Sequence, residues 1–169
     1  YYQKAAELGV PVAFYNLGNN YSKGNGVKQD YKKAIEYYEK AADLKYADAF
    51  NQLGLLYDSG KGVKQDYTKA NEYYQKAADL GKPSGYYNIG HHYENAGFFR
   101  RDYAKAIEYY QKAADLKYAQ AFIGLGRMYE EGNGVSKDFS KAIENYQKAS
   151  DLGDADAATK LNNLLKNMK

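Results

Sequence analysis

Residues 45–80 read KYADAFNQLGLLYDSGKGVKQDYTKANEYYQKAADL, and this block is the unit from which the chain is built. Its closing Lys-Ala-Ala at Lys76 recurs at Lys4, Lys40 and Lys112, and as Lys-Ala-Ser at Lys148, always on a 36-residue step. Its Leu53-Gly54 pair recurs in the same register at Leu17 and Leu125, and as Ile89-Gly90. A period of this length signals a solenoid of stacked supersecondary units, each touching mainly its neighbours. That period overrides the single globular domain which 169 residues would otherwise suggest.

Two helices are legible inside the block. The first spans about 47–58, with Ala49, Phe50, Leu53, Leu56 and Tyr57 at helical spacing. Ser59-Gly60-Lys61-Gly62 ends it, because glycine takes the left-handed conformation that turns a chain out of a helix. Asp66 is placed to cap the second helix, about 67–80, whose stripe is Ala70, Tyr74, Ala77 and Ala78. Gly54, Ala70 and Ala77 permit close helix approach, while Tyr57 and Tyr74 fill larger gaps. Repeating the unit gives a partial repeat at 1–8, full helix pairs at 9–44, 45–80, 81–116 and 117–152, and a capping helix at 153–169. In that last helix Leu161, Leu164, Leu165 and Met168 form the apolar side. Where glycine follows the closing leucine (Leu8, Leu80, Leu152) it serves as the residue after the helix; Pro11 and Pro83 then fit a first turn. The start at Tyr1-Tyr2, in register with Tyr37-Tyr38, falls inside a repeat and points to a piece of a longer chain.

Lys+Arg of 24 against Asp+Glu of 21 gives a net charge of +3 with the signs interspersed, so no block of one sign marks a nucleic-acid or membrane surface. No cysteine is present, which excludes disulfides and thiolate metal sites and leaves the compartment open. Mean hydropathy is −0.81 and no run of 18 apolar residues exists, so no membrane-spanning helix is expected.

The pattern Ala-Phe-x-x-Leu-Gly-x-x-Tyr-x-x-Gly-x-Gly-Val-x-x-Asp-Tyr-x-Lys-Ala-x-x-Tyr-Tyr-x-Lys-Ala-Ala, read from Ala49 to Ala78 with close variants from Ala13 and Ala121, resembles the Sel1-like repeat. The resemblance covers essentially the whole chain. It implies an all-α, right-handed α/α superhelical solenoid related to tetratricopeptide arrays. It also implies a non-catalytic adaptor or scaffold that holds a protein or peptide, without naming the partner. Some bacterial relatives are cysteine-rich; this chain is not. The third loop departs from the pattern, with Ala96-Gly97-Phe98-Phe99-Arg100-Arg101 in place of Gly-x-Gly-Val. Phe98, Arg100 and Arg101 are candidate partner contacts; the plainer alternative puts Phe99 in the usual valine slot.

Reactive constellations are scarce. No serine is followed three residues later by lysine. His91 and His92 are adjacent on a helix and face different directions, and His91 with Glu94 supplies two metal ligands at most. The Gly-Asn-Gly connectors lack the ending of a phosphate-binding loop and follow a helix rather than a strand. No cofactor or metal is expected. Of the 21 tyrosines, 16 stand in repeat columns, which assigns them to packing rather than to stacking of nucleic acid.

By analogy with tetratricopeptide arrays, the first helix of each pair lines a concave groove. Three variable columns around the Leu-Gly pair are then candidates for partner binding. They hold Tyr15, Asn51, Tyr87, Ile123 and Thr159; Asn16, Gln52, Asn88, Gly124 and Lys160; and Asn19, Leu55, His91, Arg127 and Asn163. Carboxamides suit an extended backbone, tyrosines give rigid anchors, and Arg127 with Lys160 favours an acidic segment. An ordinary solvated face remains an alternative, as do a small-molecule or cell-wall-fragment binder with weak hydrolysis and a structural spacer. Oligomeric state is open.

Overall fold

The computed structural model describes residues 9–95 and 101–167. Phe98 and Arg100, with the whole departure at 96–100, lie outside the described residues, as does Met168. Among the described residues there are nine helices and no strand. They are α1 (Pro11–Lys23), α2 (Tyr31–Asp43), α3 (Ala47–Ser59), α4 (Tyr67–Asp79), α5 (Pro83–Asn95), α6 (Tyr103–Asp115), α7 (Ala119–Glu131), α8 (Phe139–Asp151) and α9 (Ala155–Asn167). The chain divides into two compact units, Tyr1–Gly85 and Tyr86–Lys169.

The helix ends follow from the residues at them. α2, α4, α6 and α8 start behind an aspartate whose side chain accepts from a backbone N–H three residues on: Asp30 from Lys33 (3.1 Å), Asp66 from Lys69 (3.0 Å), Asp102 from Lys105 (3.0 Å) and Asp138 from Lys141 (3.0 Å). α1, α3 and α7 end on Gly24, Gly60 and Gly132 at φ of 75°, 67° and 77°, a conformation that costs a side-chain-bearing residue. Pro11 opens α1 and Pro83 opens α5, as the sequence predicts.

The Leu-Gly and Tyr columns explain each other. In each pair the second helix lays a tyrosine ring on the glycine of the first: Tyr38 on Gly18, Tyr74 on Gly54, Tyr110 on Gly90 and Tyr146 on Gly126. A Cβ added at Gly18 would stand 2.5 Å from Tyr38 Cε1, and at Gly126 2.6 Å from Tyr146 Cε1, closer than any side chain tolerates. Tyr74 therefore lies directly on Gly54 rather than filling a separate gap. The four rings are at most 2% exposed and are the largest fully buried side chains among the described residues.

In the first unit the core joins Ala34, Ile35, Tyr38, Ala41 and Ala42 of α2 to Ala49, Leu53 and Leu56 of α3. In the second, Ala106, Tyr110, Ala113 and Ala114 of α6 meet Ala121, Leu125 and Met128 of α7. Tyr146 and Ala142 of α8 are then closed off by Leu161 and Leu164 of α9. α9 buries Ala157, Leu161 and Leu164, spaced four and three residues apart, while Leu165 stays 42% exposed because it lies about 100° further round the helix. The expected apolar side of the capping helix is thus narrower by that residue.

Candidate functional site

The variable columns lie on the first helices, α1, α3, α5 and α7, with Lys160 on α9. In the first unit Tyr15 is half-buried, its ring 5.8 Å from Tyr38 and 5.1 Å from Tyr46. Asn19 accepts a hydrogen bond from the Tyr38 hydroxyl at 2.8 Å, which commits its carbonyl to the fold. Asn16, Asn51 and Gln52 are half-buried, and Leu55 is 41% exposed.

In the second unit the columns converge. Tyr87, Ile123, Gly124, Arg127 and Lys160 line one cleft of about 220 Å³, together with Gln120, Asp154 and Asp156. Gly124 stands where Asn16, Gln52 and Asn88 stand in the other repeats and lets its backbone lie against the Tyr110 ring. A Cβ there would come within 2.9 Å of the Tyr110 ring. Tyr87 is held by Tyr110 and Tyr118, each at 5.5 Å, and by His91 at 6.0 Å. His91 is exposed, and Asn88 is half-buried.

Arg127 is not the free cation that its column suggests. Its Nη2 donates to Glu94 Oε2 at 2.6 Å, and the buried Tyr110 hydroxyl donates to the same oxygen. Glu94 is 8% exposed, so the pair sits largely out of water. Burial pulls the Arg127 guanidinium down, but the facing carboxylate outweighs it and holds the group above its ordinary value. Burial, reinforced by Glu94, pushes the Tyr110 hydroxyl up. Glu94 therefore belongs to a Tyr110–Glu94–Arg127 knot rather than to a metal pair with His91. The Arg127 Nε is buried without a partner.

Gln120, Asp154 and Asp156 escape a reading anchored on the Leu-Gly pair, because they sit in or before the first turns of α7 and α9. Asp154 Oδ1 accepts the Ala157 N–H at 3.0 Å and its Oδ2 faces Gln120 Nε2 at 3.3 Å. Its place as an N-cap before the last helix was the available signal. Arg101 donates to the Tyr103 hydroxyl at 2.9 Å and lies over that ring, 5.5 Å from its centroid.

The motif lysines cover the motif tyrosines. Lys33, Lys69, Lys105 and Lys141 stand 5.3, 4.3, 5.1 and 5.2 Å from the ring centroids of Tyr21, Tyr57, Tyr93 and Tyr129. Lys40, Lys76 and Lys112 cover Tyr37, Tyr73 and Tyr109 in the same way. These ring faces carry the chain's own cations rather than offering a platform for bases. Among the described residues no cluster of His, Cys, Asp or Glu is arranged to hold a metal, and no helix is long and apolar enough to cross a membrane.

The Sel1 repeat family matches residues 1–10, 11–46, 47–82, 83–118 and 117–154. A Sel1 repeat protein from Oxalobacter formigenes is 37% identical with a TM-score of 0.84, over 95% of this chain and 65% of its own. The protective antigen c5321 of uropathogenic Escherichia coli is 33% identical with a TM-score of 0.81, over 95% of this chain and 34% of its own. The immunity protein Pa5087 of Pseudomonas aeruginosa is 31% identical with a TM-score of 0.60, over 88% of this chain and 55% of its own. The chain thus spans less than two thirds of the length of these solved relatives. No curated protein sequence matches. Sel1 repeat proteins are generally non-catalytic scaffolds, and their fold commonly mediates protein interactions. With the repeat matched from end to end, and with the ring-on-glycine packing recurring in every full helix pair, the chain belongs to the Sel1 repeat family.

Proposed function

We propose that this chain is a non-catalytic protein-interaction module that receives a segment of a partner protein on the first-helix face of its second unit. In the second unit the cleft below Tyr87 takes one side chain of that segment. The observation that carries this reading is the convergence of Tyr87, Ile123, Gly124, Arg127 and Lys160 on one cleft of about 220 Å³. Pockets for whole small ligands run from roughly 300 to 1,000 Å³, so this volume suits a single side chain better than a compact ligand. The likeness to the immunity protein Pa5087 is compatible with a protein-binding role.

The test is a pull-down with the chain as bait beside a bait carrying Asp156→Ala and Lys160→Ala. Both residues are exposed and neither belongs to the core, so the melting temperature should stay within a degree or two. A partner held by the first bait and bound at least tenfold more weakly by the second supports the assignment. Equal affinity for both removes the site from this cleft, and recovery of no partner favours a spacer.

A further inference from the structure

Lysines that are scattered in the sequence are gathered by the fold of the first unit. The 60–66 loop lies on the first turn of α2: a Cβ at Gly62 would stand 2.6 Å from Tyr31 Cβ and 3.2 Å from the Lys32 backbone nitrogen. Stacking the loop there carries Lys61 to the Tyr31 ring, 5.8 Å from its centroid. Lys28, Lys32 and Lys33 line an open cleft of about 690 Å³ that also includes Tyr31 and Gly62. The one carboxylate lining it, Asp30, is engaged as the cap of α2. Among the described residues none of these four lysines forms an ion pair. The contrast with the second unit is direct: there Lys105 and Lys141, in the column of Lys33, lie 3.7 and 4.0 Å from the cap carboxylates of Asp102 and Asp138.

We propose that this lysine-lined edge is a docking surface for an acidic segment of a partner protein, one rich in Asp and Glu. Three lysines against the single Asp30 carboxylate in the cleft, with Lys61 beside it, leave a net positive edge that attracts a chain of carboxylates and sets its register, which is how charge complementarity selects a partner. Single-stranded nucleic acid is the poorer fit, because Lys33 and Lys61 already cover the Tyr21 and Tyr31 faces on which bases would stack. A bilayer is also a poorer fit, because Val27 is the lone aliphatic side chain lining the cleft and offers little to insert. This surface is independent of the cleft below Tyr87 and stands whether or not that site binds.

The experiment titrates the whole chain into a fluorescein-labelled hexaglutamate peptide and follows anisotropy. Binding should be present at low ionic strength and weaken as salt screens the charges. Lys28→Glu with Lys32→Glu should weaken it by about tenfold or more. Lys137→Glu with Lys166→Glu makes the same change in net charge on exposed residues of the other unit and should cost about twofold or less. Equal weakening by the two pairs would reduce the effect to net charge and overturn the site, as would no binding at low salt. Tighter binding to an oligothymidylate or to phosphatidylserine vesicles than to hexaglutamate would reassign the surface and overturn the acidic-segment proposal.

Discussion

Asn71 is the residue in the first unit that the fold uses least well. It stands in the column that holds Ile35, Ile107 and Ile143, and its Oδ1 is buried with no hydrogen-bond partner. An unpaired buried acceptor costs about 1–3 kcal/mol, and isoleucine, which the same slot holds in the other repeats, removes that cost while adding apolar contact. Asn71→Ile is therefore expected to raise the unfolding free energy by roughly 1–2 kcal/mol, read as a higher urea midpoint at unchanged slope. A lower midpoint would mean that the carbonyl is hydrated and useful where it is. The columns themselves are legible in the sequence; what fills their exceptions is not. Arg127 reads as a free cation and Glu94 has no assigned role, because their mutual bond joins two repeats 33 residues apart and leaves no mark in the period. Gly124 is visible as an exception, but its reason, the close approach of the Tyr110 ring, appears only in the packing.

At the scale of the element, periodicity and cap chemistry are strong guides. The reading of 47–58 and 67–80 lies within a residue of the helices Ala47–Ser59 and Tyr67–Asp79. The alternation of Leu-Gly and Leu-Lys at the repeat boundaries is harder to read. Structurally it is one conformation filled two ways: Gly9, Gly81 and Gly153 have φ of 73°, 86° and 90°, and Lys45 and Lys117 occupy the same left-handed region at 58° and 60°. A side chain there costs about 1–2 kcal/mol, against which glycine loses about 0.5–1 kcal/mol through its freer unfolded chain. Lys117→Gly should then gain on the order of 0.5–1 kcal/mol, visible as a rise of a few degrees in thermal melting. Loss of stability instead would show that the lysine side chain earns its place by contacts outweighing the backbone cost.

At the scale of the molecule, the ring-on-glycine packing ties stability to proton release. Tyr38 and Tyr74 lie in one unit and Tyr110 and Tyr146 in the other, each almost fully buried. Burial raises all four hydroxyls, Tyr38 to about 12 and the other three beyond that. Below pH of about 10 a tyrosine is protonated in both the folded and the unfolded chain, and the shift makes no difference to how stability varies with pH. Above it the unfolded chain releases protons that the folded chain retains, so stability falls as pH rises, by about 1.4 kcal/mol per unit for each ring. Two rings give about 3 kcal/mol per pH unit in each unit, so two pH units remove a large part of the 5–15 kcal/mol typical of a small domain. Unfolding is expected between pH of about 11 and 12. Ionisation of the four buried rings, read as tyrosinate absorbance, should coincide with loss of helical circular dichroism. Tyr74→Phe keeps the ring on Gly54 and removes one ionisation, so it should move that loss of helicity to higher pH. Full ionisation of all the tyrosines with helicity intact would overturn the account, because it would mean that water reaches the rings that hold the helix pairs together.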